Sequence, residues 1–171
     1  MNVLFIDRDG TIIDEPPDGK VDSLEKFKLK PFVLNSLKTL QDHGYILVMV
    51  TNQPTLGTES FSYASFEVPH NKLMKLFKKE GIQFREVFIC PHTLEDNCSC
   101  RKPKTGLVDE FLKNNTIDKD RSYVVGDRIT DVELAENIGC KSIHVSSKKI
   151  SNATYMAEDW KEITKYILKG S

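Results

Sequence analysis

The sequence predicts a single doubly wound α/β domain, in which helices cover both faces of a mostly parallel sheet. Short runs of apolar and β-branched residues recur along the chain, as expected for buried strands. Segments with apolar residues at helical spacing separate these runs, and such alternation implies right-handed crossovers between parallel strands. No connection is long enough to form a separate lid, so we expect one domain over residues 1–171, without a large cap and with one open face.

The composition is that of an ordinary globular chain and argues against several classes of protein. Hydrophobic residues make up 39% and charged residues 29% of the 171 positions, which excludes a largely disordered chain. A net charge of −1 argues against a nucleic-acid partner, because phosphate neutralisation requires a basic excess. The sequence carries no signal-like N-terminus and no apolar run of about 20 residues, so we expect a cytoplasmic protein without a membrane partner.

The predicted elements follow the apolar runs in chain order. The first strand is Val3–Ile6, and the prolines and glycine among the acids of residues 12–30 predict a hairpin-like flap there. Further along the chain we predict a helix from 31 that Gly44 closes, a strand at 45–50, a helix at 71–79, a strand at 86–89, a helix at 105–114, a strand at 122–125, a helix at 131–137, a strand at 141–145 and a closing helix at 152–168.

Distinctive polar residues follow four of these strands. Because the carboxyl ends of parallel strands meet at one edge of a sheet, we expect these residues to gather there and to form the ligand site. In chain order they are Asp7 and Asp9, then Thr51 and Asn52, then Arg101 and Lys102 at the end of a loop, and last Asp127 with Asp131.

The acidic residues of this set predict a metal site. Two carboxylates as close as Asp7 and Asp9 repel each other unless a positive group lies between them, and a divalent cation is the natural third partner. We expect Mg²⁺ to be held by the carboxylates of Asp7 and Asp127 and by the main-chain carbonyl of Asp9, since hard cations prefer oxygen ligands. Asp131 could orient the water ligands of the metal, or could simply be an acid at a helix N-terminus.

The same set is suited to phosphoryl transfer. A phosphoryl group requires positive charge around its oxygens, hydrogen-bond donors and an attacking group in line with the leaving oxygen. We expect Asp7 to be the nucleophile, which forms an aspartyl-phosphate. Asp9 is expected to protonate the leaving oxygen and then to deprotonate the attacking water. The residues expected to bind the phosphate are Thr51, Asn52, Arg101 and Lys102.

A second metal site is predicted in the loop 90–100. Cys90, His92, Cys98 and Cys100 place three thiols and an imidazole within eleven residues. This ligand set selects zinc, and four protein ligands leave no open position, so the zinc should be structural. The alternative is a set of unrelated free cysteines beside a surface histidine. The loop ends directly at Arg101-Lys102, so a bound zinc would fix both cations near the phosphate.

These motifs resemble those of the haloacid-dehalogenase-like phosphotransferases. The resemblance rests on Asp7-Arg8-Asp9-Gly10-Thr11, Thr51, Lys102, and Gly126-Asp127 with Asp131, in the family's order and at the same strand ends. The zinc-loop string is similar to that of the lidless, zinc-binding branch, which contains histidinol-phosphate phosphatases and heptose-bisphosphate phosphatases. The short zinc loop and the segments 14–17, 56–61 and 66–70 favour the histidinol-phosphate group. Pro54-Thr55 departs from the pattern, because relatives more often carry an acid or serine and then glycine there.

The resemblance implies a Mg²⁺-dependent phosphatase that hydrolyses L-histidinol phosphate in histidine biosynthesis. It also implies a fused or separate imidazoleglycerol-phosphate dehydratase domain as a partner. The alternatives are a phosphatase of heptose bisphosphate or of another small phosphate monoester and, outside enzymes, a zinc-stabilised binding module. Glu15 lies among the acids and prolines of the flap, where it could bind the substrate's cationic group or simply belong to a solvated hairpin.

Overall fold

A computed structural model describes residues 1–147 and 152–170 as a six-stranded sheet between two layers of helices. The strands are β1 (Asn2–Ile6), β2 (Tyr45–Asn52), β3 (Phe84–Cys90), β4 (Tyr123–Gly126), β5 (Lys141–Val145) and β6 (Tyr155–Ala157). The helices are α1 (Val33–Asp42), α2 (Tyr63–Lys79), α3 (Asp109–Asn114), α4 (Ile129–Ile138) and α5 (Trp160–Lys169), with a 3₁₀ turn at Lys119–Arg121. The strand order is β3-β2-β1-β4-β5-β6, and every pairing is parallel.

The strand β1 is the centre of the domain. It pairs with β2 on one side and with β4 on the other, so that Leu4 lies between Leu47 and Tyr123. Its four apolar residues, Val3–Ile6, are fully buried, and each contributes roughly 1.5–3 kcal/mol through burial. Alternate side chains of β1 enter the two cores, one shared with α1, α2 and α5 and the other with α3 and α4. The doubly wound α/β prediction is therefore confirmed.

Residues 12–30 form the irregular flap that their prolines and glycine predict. One antiparallel bridge joins Ile13 to Leu29, and Lys30 N–H donates to the Ile12 carbonyl at 2.9 Å. Ile12, Ile13 and Val21 are buried in the larger core. These contacts hold the flap against the domain beside the carboxyl end of β1.

The helix α2 begins at Tyr63, eight residues before the predicted start at residue 71. The Ser62 side chain accepts a hydrogen bond from Ser65 N–H and caps the helix, as serine commonly does. Pro69 lies inside the helix, where it removes one backbone donor. Phe66 and Pro69 are both buried, and their packing keeps this turn helical. The predicted start at residue 71 was therefore wrong, and the helix includes the residues on both sides of Pro69.

The predicted closing helix at 152–168 was also wrong in its first part. Tyr155–Ala157 instead form β6, which pairs with β5 so that Met156 lies opposite His144. Only then does α5 begin at Trp160, with the Asp159 carboxylate accepting from Glu162 N–H at 3.0 Å. A three-residue strand is too short to show an alternating pattern in the sequence. It is recognised only by its pairing with β5.

The other elements lie close to their predicted positions. β5 has the predicted bounds, β2 continues two residues further to Asn52, and α4 begins two residues earlier, at Ile129. The helix predicted from residue 105 begins at Asp109, because residues 105–108 form a turn closed by Val108 N–H on the Thr105 carbonyl. Across the described parts of the chain, no helix has both the length and the apolar character needed to cross a membrane.

Candidate active site

The carboxyl ends of β1, β2 and β4 open into a cavity of about 490 Å³. Most of the site residues predicted from sequence line it, while Thr51 and Asp131 are buried. Its lining residues are Asp7, Asp9, Glu15, Asp18, Gly19, Lys20, Asn52, Pro54, Arg101, Lys102, Asp127, Arg128, Ile129, Thr130 and His144. These polar groups thus lie together at one edge of the sheet, where the strand ends predict them.

Asp7 is held rigidly at the end of β1. Its N–H donates to the Val125 carbonyl at 2.9 Å, which continues the ladder with β4 by one residue. One carboxylate oxygen accepts from Lys102 Nζ at 2.6 Å and the other from the Thr11 hydroxyl at 3.3 Å. Burial raises the pKa of Asp7 well above its usual value; Lys102 opposes this shift, and the nearby carboxylates Asp131 and Asp127 add to it.

Lys102 is 4% exposed and uses all three of its donors inside the protein. Nζ donates to Asp7 at 2.6 Å, to Asp131 at 2.7 Å and to the Val50 carbonyl at 2.8 Å. Burial disfavours the charge, but the two carboxylates outweigh it and raise the pKa of Lys102. The Asn52 side chain accepts from Lys102 N–H at 3.1 Å and donates to its carbonyl at 3.4 Å. Asn52 therefore positions this lysine.

Two glycines allow the carboxylates to approach each other. Gly10 has a φ of +85°, and a side chain there would collide with the Asp127 carboxylate. A side chain on Gly126 would collide with Asp131 in the same way. Asp131 lies in the first turn of α4, where its carboxylate accepts from Arg128 N–H at 3.1 Å. The residue thus caps the helix and also binds Lys102.

Asp7, Asp127 and Asp131 form a group that could hold a metal ion, with ligand atoms all within 4.8 Å of one another. The Thr11 hydroxyl joins two of them, at 3.3 Å from Asp7 and 3.4 Å from Asp127. Burial raises the pKa of Asp127, Asp131 raises it further, and Arg128 opposes the shift. A divalent cation would relieve the repulsion among these carboxylates.

The Asp9 carboxylate faces a different set of partners. Arg8 is fully buried and donates from Nε to one oxygen at 2.7 Å and from an Nη to the other at 3.3 Å. Gln53 donates to Asp9 at 2.8 Å and to the Thr51 hydroxyl at 2.9 Å. Sequence reasoning assigned no role to Arg8 or Gln53, although both stand directly beside predicted site residues, and that position was the only signal.

The helix α2 packs behind this arrangement. The guanidinium of Arg8 lies 4.5 Å from the centre of the Phe66 ring, and its Nη1 lies 3.3 Å from His70 Nδ1. The rings of Phe66 and His70 stack with their centres 5.0 Å apart. Burial and the neighbouring Arg8 lower the pKa of His70 to about 4. His70 is therefore neutral near pH 7 and can accept a hydrogen bond from the arginine.

The four predicted zinc ligands converge at the end of β3. Cys90, Cys98 and Cys100 have Sγ atoms 3.1–3.7 Å apart, and His92 Nδ1 lies 3.2 Å from Cys100 Sγ. A tetrahedral zinc site with Zn–S bonds of about 2.3 Å has edges of about 3.8 Å, so this cluster could hold a metal ion. Cys140 lies apart from it, packed against the smaller core.

Arg101 follows directly from this cluster. Its N–H donates to Cys98 Sγ at 3.3 Å, and its Nη1 donates to the His92 carbonyl at 3.1 Å. Its buried Nε atom has no hydrogen-bond partner among the described residues. Arg101 is thus fixed by the cysteine loop while retaining a free donor, and its side chain lines the cavity.

Glu15 lies at the rim of the cavity and forms an ion pair with Arg128. Its side chain is 22% exposed, whereas that of Arg128 is 60% exposed. Burial raises the pKa of Glu15, and the charge of Arg128 opposes that shift. The flap acid singled out from sequence therefore faces the cavity with its charge already partnered.

Comparison with known proteins relates this chain to phosphatases. The family described as polynucleotide kinase 3 phosphatase matches residues 2–146. The histidine biosynthesis bifunctional protein HisB of Buchnera aphidicola subsp. Schizaphis graminum is 49% identical over 98% of this chain and 45% of its own length. The protein of the same name from Legionella pneumophila (strain Lens) is 50% identical over 84% of this chain and 41% of its own. This chain thus spans less than half of these relatives.

Solved structures share the fold over the full chain. A D,D-heptose 1.7-bisphosphate phosphatase from B. bronchiseptica, complexed with magnesium and phosphate, superposes with a TM-score of 0.87 and covers 100% of both chains at 24% identity. A phosphatase-like protein from Mesorhizobium loti, described as had-like, has a TM-score of 0.82 at 22% identity. The fold of this chain is the haloacid-dehalogenase-like one, and residues 1–147 and 152–170 contain no large cap.

Proposed function

We propose that this chain, which belongs to the polynucleotide kinase 3 phosphatase family, hydrolyses L-histidinol phosphate to L-histidinol and phosphate. The observation that carries the proposal is the ion pair of Asp7 with Lys102, 2.6 Å apart, beside the carboxylates of Asp127 and Asp131. This group lies at a cavity that Asp7, Lys102 and Asp127 line. A binding module has no need for a buried acid held in this way. The relatives at 42–50% identity that bear a histidine-biosynthesis name support this substrate over others.

The proposed reaction has two displacements. An Asp7 oxygen bonds to phosphorus while the bond to the leaving oxygen breaks, and Asp9 gives its proton to that oxygen. Water then attacks the phosphorus and gives a proton to Asp9, and the bond to Asp7 breaks to release phosphate. Arg8 and Gln53 fix the Asp9 carboxylate for both steps.

The phosphate is held by groups at the ends of β2 and of the cysteine loop. Lys102 supplies charge next to Asp7, and the free Nε of Arg101 supplies a donor. Thr51 retains its hydroxyl proton, since Gln53 is the donor in their contact. Asn52 acts through the backbone of Lys102. Such preorganised donors stabilise the charge that develops on the transferring group.

Both metals of the proposed enzyme fit the residues present. Mg²⁺ would be bound by Asp7, Asp127 and the Asp9 carbonyl, with Asp131 next to them, because these are hard oxygen ligands. When bound, it neutralises charge on the phosphoryl oxygens. Zn²⁺ would be bound by the four-residue cluster that begins at Cys90, with Arg101 fixed by the same loop.

The wider context of the chain is part of the same proposal. Residues 1–171 would form one phosphatase domain in the cytoplasm. Because the bifunctional relatives are about twice as long as this chain, a dehydratase domain, fused or separate, is the proposed partner.

The test is phosphate release from a panel of esters, with and without Mg²⁺. The panel of esters contains L-histidinol phosphate, heptose bisphosphate, a 3′-phosphorylated oligonucleotide and p-nitrophenyl phosphate. We expect kcat/KM for histidinol phosphate to exceed the others by at least about tenfold, with no release when Asp7 is replaced by Asn. A preference for heptose bisphosphate would favour the competing phosphatase, and no release from any ester would favour a binding module.

A further inference from the structure

The imidazole of His144 is a buried polar group at the edge of the candidate active site. The residue is 2% exposed, and neither Nδ1 nor Nε2 has a hydrogen-bond partner among the described residues. It nevertheless lines the same cavity as Asp7 and Lys102. Buried polar groups in folded proteins are nearly always hydrogen-bonded, so this imidazole is suited to take a partner from the cavity that it lines.

The sheet register places His144 one strand beyond the carboxylate cluster. It pairs with Gly126, the residue directly before Asp127. The cations that suit a phosphate, Arg101 and Lys102, extend instead from the end of the cysteine loop. His144 is therefore suited to contact the part of the substrate that is not phosphate.

We propose that His144 is a specificity-determining residue that hydrogen-bonds an N–H group of the leaving amino alcohol. This inference rests on the proposed function. A neutral imidazole offers one acceptor and one N–H donor. The ammonium and imidazole of L-histidinol supply matching groups, whereas p-nitrophenol carries no N–H at all.

The carboxylates of the cavity can attract a cationic leaving group. At the rim, Glu15 and Asp18 stand beside Lys20 and Arg128, and both acids already have partners, Arg128 for Glu15 and Lys26 for Asp18. Deeper in the cavity the lining includes the carboxylates of Asp7, Asp9 and Asp127. An ammonium or imidazolium would be attracted to them and could donate to the free nitrogen of His144.

Two substitutions separate the polar role of His144 from its volume. His144→Leu removes both nitrogens and keeps similar bulk, while His144→Gln retains one donor and one acceptor. The matched control is His43→Leu. His43 is exposed, lies far from β5 in sequence and does not line the cavity. The first readout is the inhibition constant of L-histidinol against p-nitrophenyl phosphate hydrolysis, and the second is KM for histidinol phosphate.

We expect His144→Leu to raise both constants by roughly three- to tenfold, the effect of one hydrogen bond. His144→Gln should recover part of this loss, and p-nitrophenyl phosphate hydrolysis should be unchanged in both variants. Unfolding in urea should show His144→Leu to be at least as stable as wild type, because an unsatisfied polar group has been removed. If His144 had only a structural role, His144→Leu would lower the stability of the protein and leave both constants unchanged.

Two outcomes would overturn the inference, and they differ from failure of the proposed function. Unchanged constants in a folded His144→Leu protein would show that the imidazole does not contact the ligand. Equal losses on p-nitrophenyl phosphate would show that it acts on the catalytic groups. Failure of the proposed function would appear in the wild type instead, as hydrolysis of p-nitrophenyl phosphate without preference for histidinol phosphate.

Discussion

Lys102 Nζ lies 2.6 Å from an oxygen of Asp7, although 95 residues separate the two in sequence. The same ammonium lies 2.7 Å from Asp131, so one buried cation is shared by two carboxylates. Removing one member of a buried ion pair leaves an uncompensated charge. This relationship therefore links the stability of the domain to the proposed phosphate site.

Replacement of Lys102 by Met should lower the free energy of unfolding by about 3–5 kcal/mol and abolish phosphatase activity. The physical reason is that Asp7 and Asp131 lose their shared cation in a buried site. Urea denaturation measures the first effect and phosphate release the second. Lys113→Met, an exposed lysine on α3, is the control and should alter neither. A stable Lys102→Met protein would contradict the buried ion network.

Replacement of Asp7 by Asn should reduce kcat by at least about 10³-fold without loss of the fold, since only the attacking charge is removed. The variant should lose less stability than Lys102→Met, because Lys102 still donates to Asp131 and to the Val50 carbonyl when the Asp7 charge is removed. Single-turnover phosphate release and circular dichroism measure the two effects. Turnover at the wild-type rate would exclude a covalent intermediate on Asp7.

Native mass spectrometry should find one tightly bound zinc per chain and a weakly bound magnesium. Cys98→Ser and Cys100→Ser should lose the zinc, lower the melting temperature and reduce activity, because the loop fixes Arg101 through Cys98 and His92. The control is Cys140→Ser, which lies outside the cluster and should retain the metal. Full activity in a zinc-free protein would show that the loop needs no metal.

Acid should destabilise the protein through His70. Its folded-state pKa of about 4 lies below the usual 6.5, so the unfolded chain binds the extra proton between these values. The contribution to stability is complete above about pH 6.5 and is lost as the pH falls towards 4. At most about 2 kcal/mol is involved, because the ring is partly exposed.

Urea unfolding at pH 7 and pH 4.5 measures this effect, and comparison with His70→Gln isolates it from the carboxylates that titrate in the same range. The variant should show a smaller loss of stability than wild type over this interval. His43→Gln, at an exposed position, should retain the wild-type slope. Identical slopes for wild type and His70→Gln would show that His70 is not buried in its neutral form.

Glu15→Gln should raise KM for histidinol phosphate by roughly tenfold or more, if one charge-assisted contact is lost. Hydrolysis of p-nitrophenyl phosphate, which has no cation to bind, should hardly change. Arg128 forms an ion pair with this carboxylate, so Arg128→Gln is the informative contrast. This substitution removes the partner of Glu15 and should leave KM for histidinol phosphate unchanged or lower it. Equal losses on both substrates in Glu15→Gln would assign Glu15 a structural role.

Features that depend on neighbouring residues could be predicted from the chain alone. Buried runs such as Val3–Ile6 identify strands because their composition is set by burial on both faces. The four metal-binding candidates of the loop 90–100 lie close in sequence, and their spacing alone predicts that they meet. Asp7 and Asp9 also lie close in sequence, but their carboxylates face different partners. The order of helices and parallel strands followed from the same local patterns.

Contacts between side chains far apart in the chain become visible in the folded protein. The chain alone does not show that Gln53 bonds Asp9, that Arg128 holds Glu15, or that Met156 extends the sheet beside His144. These choices depend on loop paths and on which charges the fold removes from water. The energy of each such hydrogen bond or ion pair depends on how far its groups are buried and on the distance between them in space. It does not depend on their separation along the chain.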